Sequence, residues 1–191
     1  MRLGIFGGSF DPPHVGHLLT AIDAFEFLRL DKLILVPAAV QPLKAGLAAA
    51  TAAQRLAMVR LLVSEDDRFA VDAVEIERAG LSYTVDTLET FAQRFPHAEM
   101  FFLVGMDAVA AFGSWKNPRR IMELARLAIL RRPGTAVGES TIDRDGTIDL
   151  ATRLIDVSST EVRERVRARK SIRGFVPESV AAFIETERLY R

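Results

Sequence analysis

Leu3-Gly4-Ile5-Phe6-Gly7-Gly8-Ser9-Phe10-Asp11-Pro12-Pro13-His14-Val15-Gly16-His17 passes from an apolar strand, through paired glycines, into the first turn of a helix. Leu3 to Phe6 reads as a short buried strand ending at Gly7-Gly8. From His14 to Leu30 the apolar residues Leu18, Ile22, Phe25 and Leu28 fall at helical spacing. Leu33 to Val36 is a continuous apolar run stopped by Pro37, as expected of a strand buried on both faces of a parallel sheet. A strand, a helix and a second such strand make a βαβ unit, and that unit sets the architecture.

The same rhythm continues downstream. Gln41 to Ala50 reads as a loop. Thr51 and Gln54 form a capping-box pair ahead of a helix carrying Leu56, Val59, Leu62 and Val63. Phe69 to Ile76 reads as a strand, and Tyr83 to Phe95 as a helix with Leu88, Phe91, Ala92 and Phe95 on one face. Met100 to Val104 is a further apolar strand ending at Gly105. Asn117-Pro118 is a cap and first-turn proline for a helix to about Ala125. Leu127 to Leu130 reads as a strand, Gly138 to Leu150 as a polar surface excursion, and Arg153 to Val157 as another strand. Helices are expected over Ser158 to Arg169 and from Pro177 through Leu189. These elements predict an α/β fold, a Rossmann-like open parallel sheet with helices on both faces. Residues 1–191 are expected to form one domain, with ligands at the carboxyl ends of its strands.

Composition narrows the function classes. The chain has 191 residues, of which 49% are hydrophobic and 26% charged, enough for a proper core and too apolar for intrinsic disorder. No apolar run approaches the roughly 20 residues of a spanning helix, so no membrane association is expected. The opening residues run straight into a strand pattern without a signal peptide, which suggests a cytoplasmic protein. The absence of cysteine excludes disulfides, a zinc-thiolate site and a cysteine nucleophile. With 25 basic and 25 acidic residues there is no global field to attract nucleic acid. Any anionic ligand must be held locally. The late cluster Arg163, Arg165, Arg167, Arg169 and Lys170 reads as a solvated helix face.

The opening motif suits phosphate. Gly7 and Gly8 let the backbone approach a ligand closely, and the helix start offers free N–H groups and the positive end of the dipole. His14 and His17, three residues apart, fall on one side of the helix, with Gly16 keeping the space between them open. Either imidazole can donate to phosphoryl oxygens or carry charge. Metal binding by the pair and a purely structural role remain alternatives. A dinucleotide-binding loop does not fit, because the G-x-G-x-x-G spacing is absent. Farther on, Ser158, Ser159 and Thr160 follow a strand and open a helix. Their hydroxyl and N–H groups form a second anion site, with Arg163 one turn along; an ordinary N-cap with a solvated arginine is the plainer reading.

Gly8-Ser9-Phe10-Asp11-Pro12-x-His14-x-Gly16-His17 resembles the H-x-G-H signature of the nucleotidylyltransferase superfamily. Val157-Ser158-Ser159-Thr160-Glu161-Val162-Arg163 resembles its second signature, S-S-T-x-x-R. Within the superfamily, Ser82-Tyr83-Thr84-Val85-Asp86-Thr87-Leu88 and the segment Gly105-Met106-Asp107 to Trp115 resemble bacterial nicotinate-nucleotide adenylyltransferases. That family joins ATP and nicotinate mononucleotide into nicotinate adenine dinucleotide and pyrophosphate, in NAD biosynthesis.

The resemblance implies roles for individual residues. His17, His14 and Lys44 would serve catalysis. Gly8, Ser9, Phe10, His14, His17, Gly105, Asp107, Ser158, Ser159, Thr160 and Arg163 would bind ATP. Tyr83, Thr84, Trp115, Arg132 and Lys44 would bind nicotinate mononucleotide, the Tyr83-Thr84 helix start taking the carboxylate and Trp115 stacking on the pyridine ring. Magnesium would arrive with ATP rather than in a protein cage. The family commonly has His before the loop lysine, where this chain has Leu43. A pantetheine-phosphate adenylyltransferase shares both end signatures, but needs neither the Ser82 to Leu88 segment nor Trp115. A nucleotide-binding regulator without turnover is the alternative from another class.

Overall fold

The structure, a computed structural model, describes residues 1–41, 49–131, 146–153 and 155–191; Lys44, Leu43 and Arg132 lie outside the described residues. Six parallel strands are β1 (Arg2–Gly8), β2 (Lys32–Pro37), β3 (Phe69–Val71), β4 (Glu99–Gly105), β5 (Arg126–Arg131) and β6 (Thr147–Ala151). Their order is β3-β2-β1-β4-β5-β6, so the direction of winding reverses between β1 and β4. Ile5 pairs in register with Ile34 on one side and Phe102 on the other. The loops after β1 and β4 therefore diverge and leave a crevice at the strands' carboxyl ends.

The alternation of side chains explains helices on both faces. Along β4, Phe101 and Leu103 point to one core and Met100, Phe102 and Val104 to the other. The first core packs α1 (Val15–Phe27), α2 (Ala52–Leu62), α7 (Ser159–Arg167) and α8 (Glu178–Thr186) through residues such as Ala24, Met58, Val162 and Ile184. The second packs α4 (Thr84–Arg94) and α6 (Pro118–Leu124) through Leu88, Phe91 and Ile121. Helices α3 (Val74–Arg78) and α5 (Met106–Val109) are short connectors. Among the described residues no helix is long and apolar enough to cross a membrane.

Three local expectations need correction. The strand expected over Phe69 to Ile76 ends at Val71, because the Asp72 carboxylate accepts from the Val74 N–H at 2.8 Å and turns the chain into α3. The last strand is Thr147–Ala151 rather than Arg153 to Val157. Ile148 and Leu150 pack into the first core on either side of Asp149, a short alternation lying at the end of the stretch expected to be a polar surface excursion. On α2 the Thr51–Gln54 capping box forms, but the buried face is Arg55, Met58, Val59 and Leu62. Val59, Leu62 and the following Val63 are buried as expected, but Leu56 is only half-buried, and Arg55 and Met58 complete the face in its place.

Candidate functional site

Two recesses open at the carboxyl ends of the central strands. A groove of about 780 Å³ runs between the β1–α1 loop, the start of α7 and the segment after β2. A smaller pocket of about 200 Å³ lies between the ends of β1 and β4, the start of α4 and Trp115. Phe6, Ala38, Gln41 and Gly105 line both, so the two share a wall.

The groove is built around the two histidines. His14 is the N-cap of α1, and its ring lies 3.8 Å from that of His17, centroid to centroid. The His14 main-chain N–H donates to His17 Nδ1 at 3.2 Å, so His17 plays the part usually taken by Glu or Gln three residues into a helix. With Nδ1 accepting, the proton of a neutral His17 is assigned to Nε2, a donor available to the groove that His17 lines. Burial, reinforced by charge on neighbouring His14, holds the His17 pKa well below the usual value for histidine. His17 is thus the neutral donor of the pair. Gly16 has a sharper reason than open space. A Cβ there would fall 2.8 Å from His14 Nδ1, so the His14 ring occupies the room that glycine leaves.

Remote donors tie down the loop before the helix. Arg163 donates to the Asp11 carbonyl at 2.7 Å and Ser159 Oγ to the Pro12 carbonyl at 2.8 Å. Arg55 donates to the Ser9 carbonyl at 2.8 Å. The Asp11 carboxylate accepts from Ala49 N–H, Ala50 N–H and the Tyr190 hydroxyl, at 2.7, 3.1 and 2.8 Å. Burial and the Asp11 contact push the Tyr190 hydroxyl pKa well up, so it stays a donor. Phe10 sits at φ 49°, a left-handed backbone that costs of order 1–3 kcal/mol outside glycine. Its ring is buried, 5.0 Å from His17 and 5.6 Å from Phe6. The Phe10 side chain is core, and only its main chain is left to meet a nucleotide.

The other expected residues divide between the recesses. Ser9, His14, His17, Gly105, Ser158, Ser159, Thr160 and Arg163 line the groove. Ser158 Oγ caps α7 by accepting from Glu161 N–H at 3.1 Å, and Arg163 also reaches Thr160 Oγ1 at 3.2 Å. The N-cap of the plainer reading is present, but Arg163 is half-buried and hydrogen-bonded rather than simply solvated. Gly8, Tyr83, Thr84 and Trp115 line the smaller pocket, so Gly8 faces the opposite recess from His17. Gly105 ends β4 between the two, and the side chain of Asp107 lies outside the described set.

In the smaller pocket Trp115 is half-buried against Phe112 and Phe102, at 5.4 and 6.2 Å between centroids. Tyr83 is the N-cap residue of α4; the Asp86 N–H turns back to the Tyr83 carbonyl at 3.1 Å, and the N–H groups of Thr84 and Val85 are the ones the helix leaves without carbonyl partners. Lys116 pairs with Asp86 at 2.8 Å and lies 4.8 Å over the Tyr83 ring. Glu75 also lines this pocket, its carboxylate taking the Thr87 hydroxyl at 2.6 Å.

Sequence reasoning missed Arg55, Asp11, Tyr190, Gln41, Lys116 and Glu75. Arg55 did leave a signal, since it stands three and four residues before Met58 and Val59, in phase with the buried stripe. The partners of Asp11 lie 38, 39 and 179 residues away, and no local pattern announces them.

The cytidylyltransferase-like family profile matches residues 5–165. A probable nicotinate-nucleotide adenylyltransferase of Gemmatimonas aurantiaca is 50% identical over 197 residues, covering 100% of this chain and 93% of that protein. One of the same name from Thermus thermophilus is 44% identical over 191 residues, covering 100% of both. Among solved structures, the nicotinic acid mononucleotide adenylyltransferase of Plasmodium falciparum complexed with APC shares the fold, with a TM-score of 0.75 at 18% identity. That likeness covers 99% of this chain and 96% of the other. The chain belongs to the nicotinate-nucleotide adenylyltransferase family.

Proposed function

We propose that this chain transfers the adenylyl group of ATP to nicotinate mononucleotide, giving nicotinate adenine dinucleotide and pyrophosphate in NAD biosynthesis. The carrying observation is the pair of recesses with one wall. The first is lined by two imidazoles and the Ser158–Arg163 helix start, the second by an indole and the start of α4.

The acceptor's phosphate oxygen attacks the α-phosphorus of ATP. The bond from α-phosphorus to the bridging oxygen breaks, and pyrophosphate leaves. The substrate supplies its own nucleophile, so this chain's work is alignment and charge stabilisation. His17 donates from Nε2 to the α-phosphate as charge redistributes, and His14 holds that ring in place through its N–H. Ser159, Thr160 and Arg163 form the triphosphate wall. Lys44 keeps the catalytic and acceptor-binding roles, and Arg132 the acceptor-binding role, that the family resemblance gives them. Trp115 stacks on the pyridine ring, whose carboxylate meets the α4 start.

Enzymes of this kind use a divalent metal with ATP, and we infer magnesium. Among the described residues no group of three or more His, Cys, Asp or Glu side chains gathers that could hold an ion. When bound, the ion neutralises triphosphate charge.

Pyrophosphate release with ATP and each candidate acceptor tests the reading. Nicotinate mononucleotide should support turnover, and phosphopantetheine should not. Turnover with phosphopantetheine, or with neither acceptor, would overturn it.

A further inference from the structure

The wall between the two recesses is the short segment 38–41, which follows β2. Donors and acceptors grip it from both sides. Arg55 reaches it from α2, with one arm on the Ser9 carbonyl at 2.8 Å and the other on the Ala39 carbonyl at 2.9 Å. From the opposite side the Ala39 N–H donates to Ser82 Oγ at 2.9 Å, and the Ser82 N–H donates to the Val40 carbonyl at 2.9 Å. Ser82 stands immediately before Tyr83 and the start of α4. A continuous line of bonds thus runs from the β1–α1 loop, through Arg55 and Ala39, to the helix start of the smaller pocket.

Arg55 is an unusual choice for that place. Its side chain is 2% exposed, and among the described residues its hydrogen bonds go to two carbonyls and to no carboxylate. Nearby Asp11 is occupied by Ala49, Ala50 and Tyr190. Among the described residues the buried Arg55 Nε atom has no hydrogen-bond partner. A core position occupied only for stability is better served by an apolar side chain of similar volume. What guanidinium offers instead is a planar fork that fixes two acceptors in one geometry.

We propose that Arg55 is a positioning residue for adenylyl transfer, setting the spacing of the two substrate recesses by clamping Ala39 against Ser9, with Ser82 as the opposing grip. The proposal rests on the adenylyl-transfer reading. An in-line reaction needs the two phosphates held at fixed separation, and a misplacement of about 1 Å can cost on the order of 10²-fold in rate. The clamp acts on alignment rather than on the affinity of either substrate.

The test compares wild type, Arg55→Lys, Ser82→Ala and the double variant. Lysine keeps the charge and loses the fork. Three readouts are needed: kcat under saturating substrates, nicotinate mononucleotide affinity from quenching of Trp115, the sole tryptophan, and the melting temperature. Ser82→Ala should lower kcat by about tenfold and Arg55→Lys by roughly 10–100-fold, with acceptor affinity shifting by no more than about threefold. The double variant should be little worse than Arg55→Lys, because both act on Ala39. Should Arg55→Lys fail to fold, Ser82→Ala alone decides. Normal kcat in Ser82→Ala, losses that multiply as independent effects, or losses that appear in acceptor affinity alone would overturn the clamp. Absence of pyrophosphate release by wild type would instead overturn the reaction itself, and the clamp with it.

Discussion

The groove beside His14 and His17 and the pocket beneath Trp115 meet at Ala38 and Gln41, yet they are held by different forces. In the groove, side chains from distant segments seize loop carbonyls: Arg55 takes Ser9, Arg163 takes Asp11, and Ser159 takes Pro12. In the pocket the walls are largely aromatic and aliphatic, with Phe102 edge-on to Trp115 and Phe112 tilted against the same indole, and the polar pairs Lys116–Asp86 and Glu75–Thr87 join side chain to side chain. The difference suits the cargo proposed for each recess. A triphosphate is bound by groups whose orientation is fixed in advance, because donors that must reorganise lose most of their worth. A planar ring is bound by area and shape, which apolar packing supplies.

That contrast can be broken by mutation. The largest effect is expected from the groove. His17→Ala should lower kcat by roughly 10²–10³-fold, the scale for losing one preorganised donor, while ATP binding changes far less. Steady-state kinetics with an ATP binding titration checks this, and turnover within a few-fold of wild type would remove His17 from the chemistry. The pocket should answer differently. Trp115→Ala should raise the KM for nicotinate mononucleotide by roughly tenfold, the scale of one lost stacking contact, and spare that for ATP. An equal rise for both substrates would mean that the recesses do not divide the substrates.

Protonation sharpens the same distinction. Unfolded His17 takes up a proton near pH 6.5, and the folded residue only at lower pH. Below 6.5 protons favour the unfolded chain, so this contribution to stability is complete above pH 6.5 and lost as the pH falls through the folded value. Urea denaturation should show stability dropping on acidification. His17→Asn, which can still accept from the His14 N–H, should flatten that slope; an unchanged slope would assign it to other groups. The smallest effect is expected at Tyr190. Tyr190→Phe removes one of three donors to Asp11 and should cost about 1 kcal/mol of unfolding free energy. A loss well under half of that would show that Asp11 does not need the hydroxyl.

The two regions also differ in how much of them can be read from sequence. The groove's chemistry sits in two compact runs, Ser9 to His17 and Ser158 to Arg163, whose local spacing predicts both the turn and the anion site. The sheet follows for the same reason, since Leu33 to Val36 and Met100 to Val104 are apolar without interruption. What stays hidden depends on distance in the chain. Arg153 to Val157 mimics a strand, while the real edge strand carries Thr147 and Asp149 on a half-solvated face. Asp11 reads as part of a turn until Ala49, Ala50 and Tyr190 converge on it. Phe10 stands within the signature, yet its ring belongs to the core. Gly16 is legible as a gap between histidines, but its reason, the His14 ring lying over it, needs three dimensions.

The division of labour is tested most directly by competition between acceptors. Nicotinate and nicotinamide mononucleotides, equimolar, are given limiting ATP, and the dinucleotide products are separated. They differ only in carboxylate against amide, and on the proposed reading that group meets the N–H donors of the α4 start, with Lys116 already paired with Asp86 and the Glu75 carboxylate engaged by Thr87. The account predicts nicotinate adenine dinucleotide as the dominant product. An even mixture, or an excess of the nicotinamide product, would contradict it and turn Glu75, rather than the helix start, toward the ring substituent.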